Sequence, residues 1–271
     1  MYDDWGHQYR EAMGLTVPSL AGKVSCTGMG GSGVVCEVVK AFYPLRTDDP
    51  DVLIAVSYSG NTWETVERAK QAMSQGIRVV AVTSGGELSK LTREVILVKQ
   101  GNQPRYSFPY LFLPVVKMLR PDLIPEVVSG VDNARAVEVA KELLDFIGGR
   151  IPVFYGSKYL GVAKRFKQEI NENAKYPAFF GEIPEVNHNE VESYTHGEGI
   201  APIVLVGSEI DQVTAELINA FVLKVTGMRD VSFLIQVAGF LSVELAKKLG
   251  EDPSKLTKIP EGKRLAQRIG R

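Results

Sequence analysis

Strand-like and helix-like runs alternate along this chain, and that alternation restricts the fold more than any other feature. "KVSCTG" (23–28) reads as a strand, and "GSGVVCEVVKAFY" (31–43) as the helix behind it. "DVLIAVSYSG" (51–60) is a second strand, followed by the helical "NTWETVERAKQAM" (61–73) with Thr62 as its N-cap. Strands over 77–86 and 94–101 complete a β-α-β-α-β pattern, which demands a parallel sheet flanked by helices. Helical patterns follow over 109–120 and 131–149, the second ended by glycines. A second cycle then begins: strand 151–157, helix 158–175, strand 198–208, helix 209–220 and a long apolar helix 230–250. Residues 220–227 fit a strand or a helix equally well. The pattern predicts an α/β protein of two doubly wound subdomains, each with a mainly parallel sheet. They cover 1–130 and 148–271 and are joined by a helix over 131–147.

Composition narrows the function. A chain of 271 residues, 45% hydrophobic and 23% charged, buries a sizeable core in one large or two medium domains. Its net charge of −1 points to neither nucleic acid nor an anionic membrane. No apolar run reaches the roughly 20 residues that span a bilayer. The opening "MYDDWGHQYREAMGL" lacks the pattern of a signal peptide, so a cytoplasmic location is expected. Cys26 and Cys36 fit no zinc spacing and fall in a predicted strand and a predicted helix, so they read as two small buried hydrophobes. No metal-ligand cluster and no cofactor is expected.

Gly28, Gly30 and Gly33 in "TGMGGSG" match the G-x-G-x-x-G of dinucleotide-binding loops. A nicotinamide site also needs an acidic residue at the tip of the second strand to bind the ribose. That strand ends instead in "SYSGNT", a second loop of hydroxyls and glycine, and the third ends in "TSGG". Strand ends of a parallel sheet open on one crevice, so Ser32, Ser57, Ser59 and Thr62 converge there on a compact anion. Thr62 lies at a helix start, where free N–H groups and the helix dipole favour phosphate. Turn-forming Ser and Gly residues explain one such loop, but less readily two in succession.

"GMGGSG", "SYSGNTWET" and "TSGG" together resemble a sugar isomerase (SIS) domain, a family that binds phosphorylated sugars through serine and threonine loops. Within it the chain is similar to the bifunctional phosphoglucose/phosphomannose isomerases. "QPRYSFPYLF", "INENAKYPAFFGEIPEVNHNEVESY", "GFLSVELAKKLGEDP" and "KIPEGKRL" carry that likeness along nearly the whole chain. The segment from Tyr43 to Asp51 is short, and Glu261-Gly262 stands before Lys263 where the family has apolar residues.

The resemblance implies aldose–ketose isomerisation of hexose 6-phosphates, without metal or other cofactor. The reaction needs a base beside C1 and C2, an acid for ring opening and positive charge near the enediolate. The family pattern puts the base at Glu172, ahead of Glu169 and Glu182, which lack the N-E-N context. It puts the ring-opening acid at His188, contributed by the neighbouring subunit of a homodimer. His7 and His196 match nothing. Arg105 is placed to stabilise the enediolate and hold the base, and Lys263 to lie near the sugar ring. Gly30, Gly31, Ser32, Ser57, Ser59 and Thr62, with Arg105, form the substrate-binding set. A hydroxyl near the tail, Ser254 or Thr257, permits action on both glucose and mannose 6-phosphates. Two rival readings stay open: another sugar-phosphate isomerase, and a non-catalytic sugar-phosphate sensor.

Overall fold

A computed structural model describes residues 1–268, though not the side chains of Lys263 or of residues 266–268 in the last helix. Strands β1 (Val24–Gly28), β2 (Val52–Val56), β3 (Arg78–Thr83) and β4 (Glu94–Leu97) form one sheet in the order β1-β2-β3-β4. Strands β5 (Ile151–Gly156), β6 (Phe179–Glu182), β7 (Ile200–Val206) and β8 (Phe221–Lys224) form another in the order β6-β5-β7-β8. Every pairing is parallel, as the alternation predicts. The first sheet carries α1 (Trp5–Met13), α2 (Gly30–Val39), α3 (Trp63–Ser74), α4 (Leu88–Leu91), α5 (Phe108–Leu119) and α6 (Ile124–Ser129). The second carries α7 (Asn133–Ile147), α8 (Leu160–Glu169), α9 (Glu209–Leu217), α10 (Met228–Lys248) and α11 (Lys258–Arg268). No described helix is long and apolar enough to cross a membrane.

The second sheet reverses its order at β5, its first strand in sequence, whereas in the first sheet β1 is the edge strand. In the second, β6 lies on one side of β5 and β7 on the other. In the first, the Lys23 carbonyl accepts from Val52 N on β2. The next carbonyl, Val24 O, points to the opposite edge and accepts from Arg46 N at 2.8 Å. The segment after α2 thus makes one backbone bond to the open edge of β1 before the chain crosses to β2. Reversal points such as that at β5 are where ligands bind in open α/β sheets, outside the carboxyl ends of the strands.

Period-2 burial sorts the strand residues into layers. Ile54, Val56, Val80 and Val82 face a central core that also takes Phe154, Ile203 and Leu205 of the second sheet. Helices α2, α5, α7, α8 and α10 fill the space between. The opposite faces pack outward, Leu53, Ala55, Val79 and Ala81 on α3, and Val153, Tyr155 and Val204 on the α9 side.

Four elements differ from the sequence reading or resolve it. Residues 220–227 contain a strand, β8. β6 was not expected; it is four residues long and half exposed, with Phe179 and Phe180 facing outward, so it lacks the apolar run of a buried strand. The N-terminal stretch forms a 3-10 turn (Tyr2–Asp4) that runs into α1, and together they seat Tyr2, Trp5 and Tyr9 in the core at helical spacing. The helix expected over 158–175 is α-helical only to Glu169; Ile170–Ala174 form a π-helical turn, ended by Lys175 in the left-handed region at φ 52°.

The two cysteines are not separate buried hydrophobes. Cys26 and Cys36 form a disulfide, with Cα atoms 5.5 Å apart. The glycine loop folds α2 back against β1, so residues ten apart in sequence face each other at the base of that loop.

Helices α2 and α8 join the halves backbone to backbone. A Cβ on Gly161 would lie 2.5 Å from the Glu37 carbonyl oxygen. Beside this contact Lys164 Nζ meets Glu37 Oε2 at 2.6 Å. Gly161→Ala therefore forces the helices apart and lowers stability by about 1–3 kcal/mol, the range for overpacking. Urea unfolding of the variant reads this directly, and an unchanged midpoint contradicts it.

Candidate active site

The loops after β1, β2 and β3 interlock at the carboxyl end of the first sheet. Ser32 Oγ accepts from Tyr58 N at 3.0 Å, which ties the first loop to the second. Ser57, fully buried, donates to Thr62 Oγ1 at 3.2 Å. Gly60 has φ 66°, and a Cβ there would stand 1.8 Å from the Gly85 carbonyl oxygen, so the second and third loops touch. Ser59 and Gly30 lie at the exposed rim, with Ser32, Ser57 and Gly31 beneath. Thr62 is the N-cap of α3, but its hydroxyl makes no capping bond, and α2 also starts without a side-chain cap.

The matching loops of the second sheet are closed by the chain's own carboxylates. Asp211 Oδ2 accepts from Gly207 N at 3.0 Å and from the Ser208 hydroxyl at 2.8 Å. Asp230 Oδ2 accepts from Thr226 N at 2.7 Å and from its hydroxyl at 2.6 Å. Among the described residues no carboxylate accepts from residues 28–33 or 57–62 of the first sheet. Helix N-termini favour anions; one sheet supplies its own, and the other leaves the place open.

Arg105 connects these loops to the second half. It sits in the turn Pro104–Ser107 before α5 and is 2% exposed. Gly31 packs on its backbone, with room for a Cβ only 3.4 Å from Arg105 Cα. Its Nη1 lies 3.4 Å from Glu172 Oε2, its Nε donates to Asn173 Oδ1 at 2.6 Å, and its Nη2 donates to the Pro253 carbonyl at 2.7 Å. Its guanidinium also stacks on Tyr106, 4.6 Å from the ring centre.

Glu172 occupies the π turn and is half-buried at the wall of a cleft of about 320 Å³. Lys175, Tyr176, Leu256, Thr257 and Ile259 share that wall. π turns recur at functional sites because one extra residue re-aims its neighbours. Here Glu172 faces the cleft and Asn173 is wholly buried. Glu169, the competing carboxylate, is 1% exposed and forms an ion pair with Arg165 and a hydrogen bond with Tyr2. Burial pushes its carboxyl up from the usual range, against the pull of Arg165 and Tyr2. It touches neither cleft nor solvent, so it serves the interior.

The other expected residues are dispersed. His188 is exposed in the turn Glu185–His188 after β6, and within one chain it bonds to neither Glu172 nor Arg105 among the described residues. Glu182 is exposed at the end of the β6 edge strand. Lys263 falls in α11, and its side chain lies outside the described residues. Of the two tail hydroxyls, Thr257 lines the Glu172 cleft, whereas Ser254 is held by Asp252 at 2.7 Å. Ser57, Ser59 and Thr62 do not line that cleft; Gly31 and Arg105 are the link to it. Asn173, Tyr106 and the Pro253 carbonyl were not singled out from sequence, although Asn173 follows Glu172 within the "NEN" motif.

The family described as bacterial phospho-glucose isomerase C-terminal SIS domain matches residues 136–265. A curated relative, the D-glucosamine-6-phosphate 4-epimerase of Sulfolobus acidocaldarius, is 36% identical over 96% of this chain and 95% of its own. The bifunctional phosphoglucose/phosphomannose isomerase of Aquifex aeolicus is 31% identical over 86% of each chain. The chain belongs to the SIS family of phosphosugar isomerases. Solved SIS-type structures share its fold: glucosamine-6-phosphate deaminase of Thermotoga maritima superposes with a TM-score of 0.69 at 15% identity. That match covers 94% of this chain and 95% of the other. In this SIS protein the two helix-borne carboxylates are separable by stability alone. Glu169→Gln strands the buried Arg165 and costs about 3–5 kcal/mol. Glu172→Gln removes the carboxylate that faces Arg105 but leaves that guanidinium bonded to Asn173 and the Pro253 carbonyl, so it costs less, about 1–3 kcal/mol. Guanidinium unfolding of the two variants checks the contrast; equal losses contradict it.

Proposed function

We propose that the protein interconverts glucose 6-phosphate and mannose 6-phosphate with fructose 6-phosphate through a cis-enediol. The observation that carries this reading is a half-buried carboxylate, Glu172, facing a cleft 3.4 Å from a guanidinium that the interior holds fixed. Glu172 takes the C2 proton of the open-chain aldose as the C1–C2 double bond forms. The carbonyl oxygen at C1 gains negative charge, which Arg105 stabilises. The O2 hydroxyl proton passes to O1, and the proton on Glu172 returns to C1, leaving a hydroxyl at C1 and a carbonyl at C2. Loss of the C2 proton erases the difference between glucose and mannose configurations, so one base serves both. The phosphate rests in the open loops of the first sheet on Ser32, Ser57, Ser59 and Thr62 and the backbone of Gly30 and Gly31. His188 opens the ring from the neighbouring subunit of a homodimer, and Lys263 lies near the ring.

A second reading has a specific support: the relative matching 96% of the chain is named a 4-epimerase of glucosamine 6-phosphate. One experiment separates the two. The protein is incubated, with EDTA present, with glucose, mannose and glucosamine 6-phosphates in turn, and products are followed by NMR. Formation of fructose 6-phosphate from the first two supports isomerisation. Inversion at C4 of the third alone supports epimerisation, and binding without turnover supports a sensor.

Variants extend the test. Glu172→Gln lowers kcat by about 10²–10⁴-fold, the usual contribution of a general base, with KM little changed. A variant keeping more than about a tenth of wild-type kcat contradicts the assignment. Ser57→Ala with Thr62→Ala raises KM about ten-fold or more, since each bond to a charged group contributes about 1.5–3 kcal/mol. An unchanged KM rejects the phosphate loop.

A further inference from the structure

Glu172 and Asn173 are adjacent in the chain but meet different surroundings. Glu172 faces the cleft, whereas Asn173 has no solvent exposure. The Asn173 carbonyl oxygen accepts from Arg105 Nε at 2.6 Å and from the Tyr106 hydroxyl at 3.3 Å. Its amide nitrogen lies 2.8 Å from the Tyr2 hydroxyl, 3.0 Å from Glu169 Oε2 and 2.8 Å from Ser242 Oγ. We propose that Asn173 is a positioning residue, which orients the Arg105 guanidinium towards Glu172 and anchors it to the buried Arg165–Glu169 pair. The inference rests on reading Glu172 as the base.

The charges around Asn173 allow its amide one orientation. The oxygen points at a cation, Arg105, and the NH2 group at a carboxylate, Glu169. Reversal would set N–H against guanidinium and carbonyl against carboxylate and leave Arg105 Nε without an acceptor inside the protein, where unmade bonds are costly. The orientation therefore comes from Glu169, itself paired with Arg165 and bonded by Tyr2. Tyr2 keeps its proton, because burial raises its pKa well above the ordinary value.

Arg105 reads that orientation directly. Asn173 holds Nε, and the Pro253 carbonyl holds Nη2. What remains is Nη1, the nitrogen that faces Glu172. Without the Asn173 oxygen, Nε loses its partner and the guanidinium can slide on the Tyr106 ring. A stabilising group displaced by about 1 Å can cost on the order of 100-fold in rate. The phosphate loops do not contact Asn173, so the loss falls on kcat.

The test is a kinetic cycle on the full-length protein with glucose 6-phosphate, using Asn173→Ala, Arg105→Lys and the double variant. Asn173→Ala is expected to lower kcat about 10- to 100-fold with KM within about threefold of wild type. The double variant is expected to be no slower than Arg105→Lys alone, because the two act as one unit. A purely structural role predicts losses that multiply, and that result overturns the inference. So does a folded Asn173→Ala protein with kcat within about twofold of wild type. Should Asn173→Ala fail to fold, Tyr2→Phe removes only the far side of the anchor and keeps the ring. It is expected to lower kcat about fivefold, the equivalent of one lost hydrogen bond, with KM unmoved; unchanged kcat overturns the inference. An active wild type with an indifferent Asn173 leaves the Glu172 reading intact. A wild type inert on glucose and mannose 6-phosphates overturns both.

Discussion

A guanidinium buried between the two halves of the chain must have every donor met, and Arg105 organises the site through that requirement. Its partners come from the π turn, from Tyr106 on its own turn and from the Pro253 carbonyl of the tail. Gln103, two residues earlier, holds the next tail residue by donating to the Ser254 carbonyl at 2.6 Å. Segments more than 60 residues apart in sequence thus meet at one cation. The N-terminal turn joins through Tyr2, which reaches Asn173 and Glu169 and packs so closely on α10 that a Cβ on Gly239 would lie 2.3 Å from its ring. Removing such a charge's partners leaves it desolvated and uncompensated, so the network stands or falls together.

The duplicated architecture divides its labour by where the carboxylates sit. Both sheets present glycine- and hydroxyl-bearing loops at the carboxyl ends of their strands. The second sheet bonds its loops to Asp211 and Asp230 in the first turns of α9 and α10. None of α2, α3, α9 and α10 has a side-chain bond from its N-cap, so the difference between the sheets lies in these two carboxylates. Fold symmetry therefore does not carry over into how the loops are bonded.

Much of this was legible in the sequence. Strong apolar and helical runs marked six of the eight strands and left β8, over 220–227, open between strand and helix, because buried parallel strands are apolar along their length. Two hydroxyl loops after consecutive strands, without an acid at the second, led the sequence reading to phosphate rather than a dinucleotide. The failures have physical causes. β6 is too short and exposed to carry a pattern, and its neighbour β5 supplies the register. The acidic N-terminal segment hides three core aromatics that only helical spacing brings to one face. The cysteines lie on different elements, and only the close return of α2 on β1 joins them. Asn173 carries no charge and resembles any polar residue until its neighbours are known.

The central claim is that one carboxylate carries a proton between adjacent carbons of a sugar phosphate. Incubation of the wild-type protein with glucose 6-phosphate in deuterated water, followed by NMR of the recovered sugars, examines that claim most directly. A carboxyl proton exchanges with solvent before it returns, so deuterium should appear at C1 of fructose 6-phosphate and at C2 of recovered glucose 6-phosphate. Full conversion with no deuterium at either carbon, or deuterium absent because no fructose 6-phosphate forms, would contradict the account.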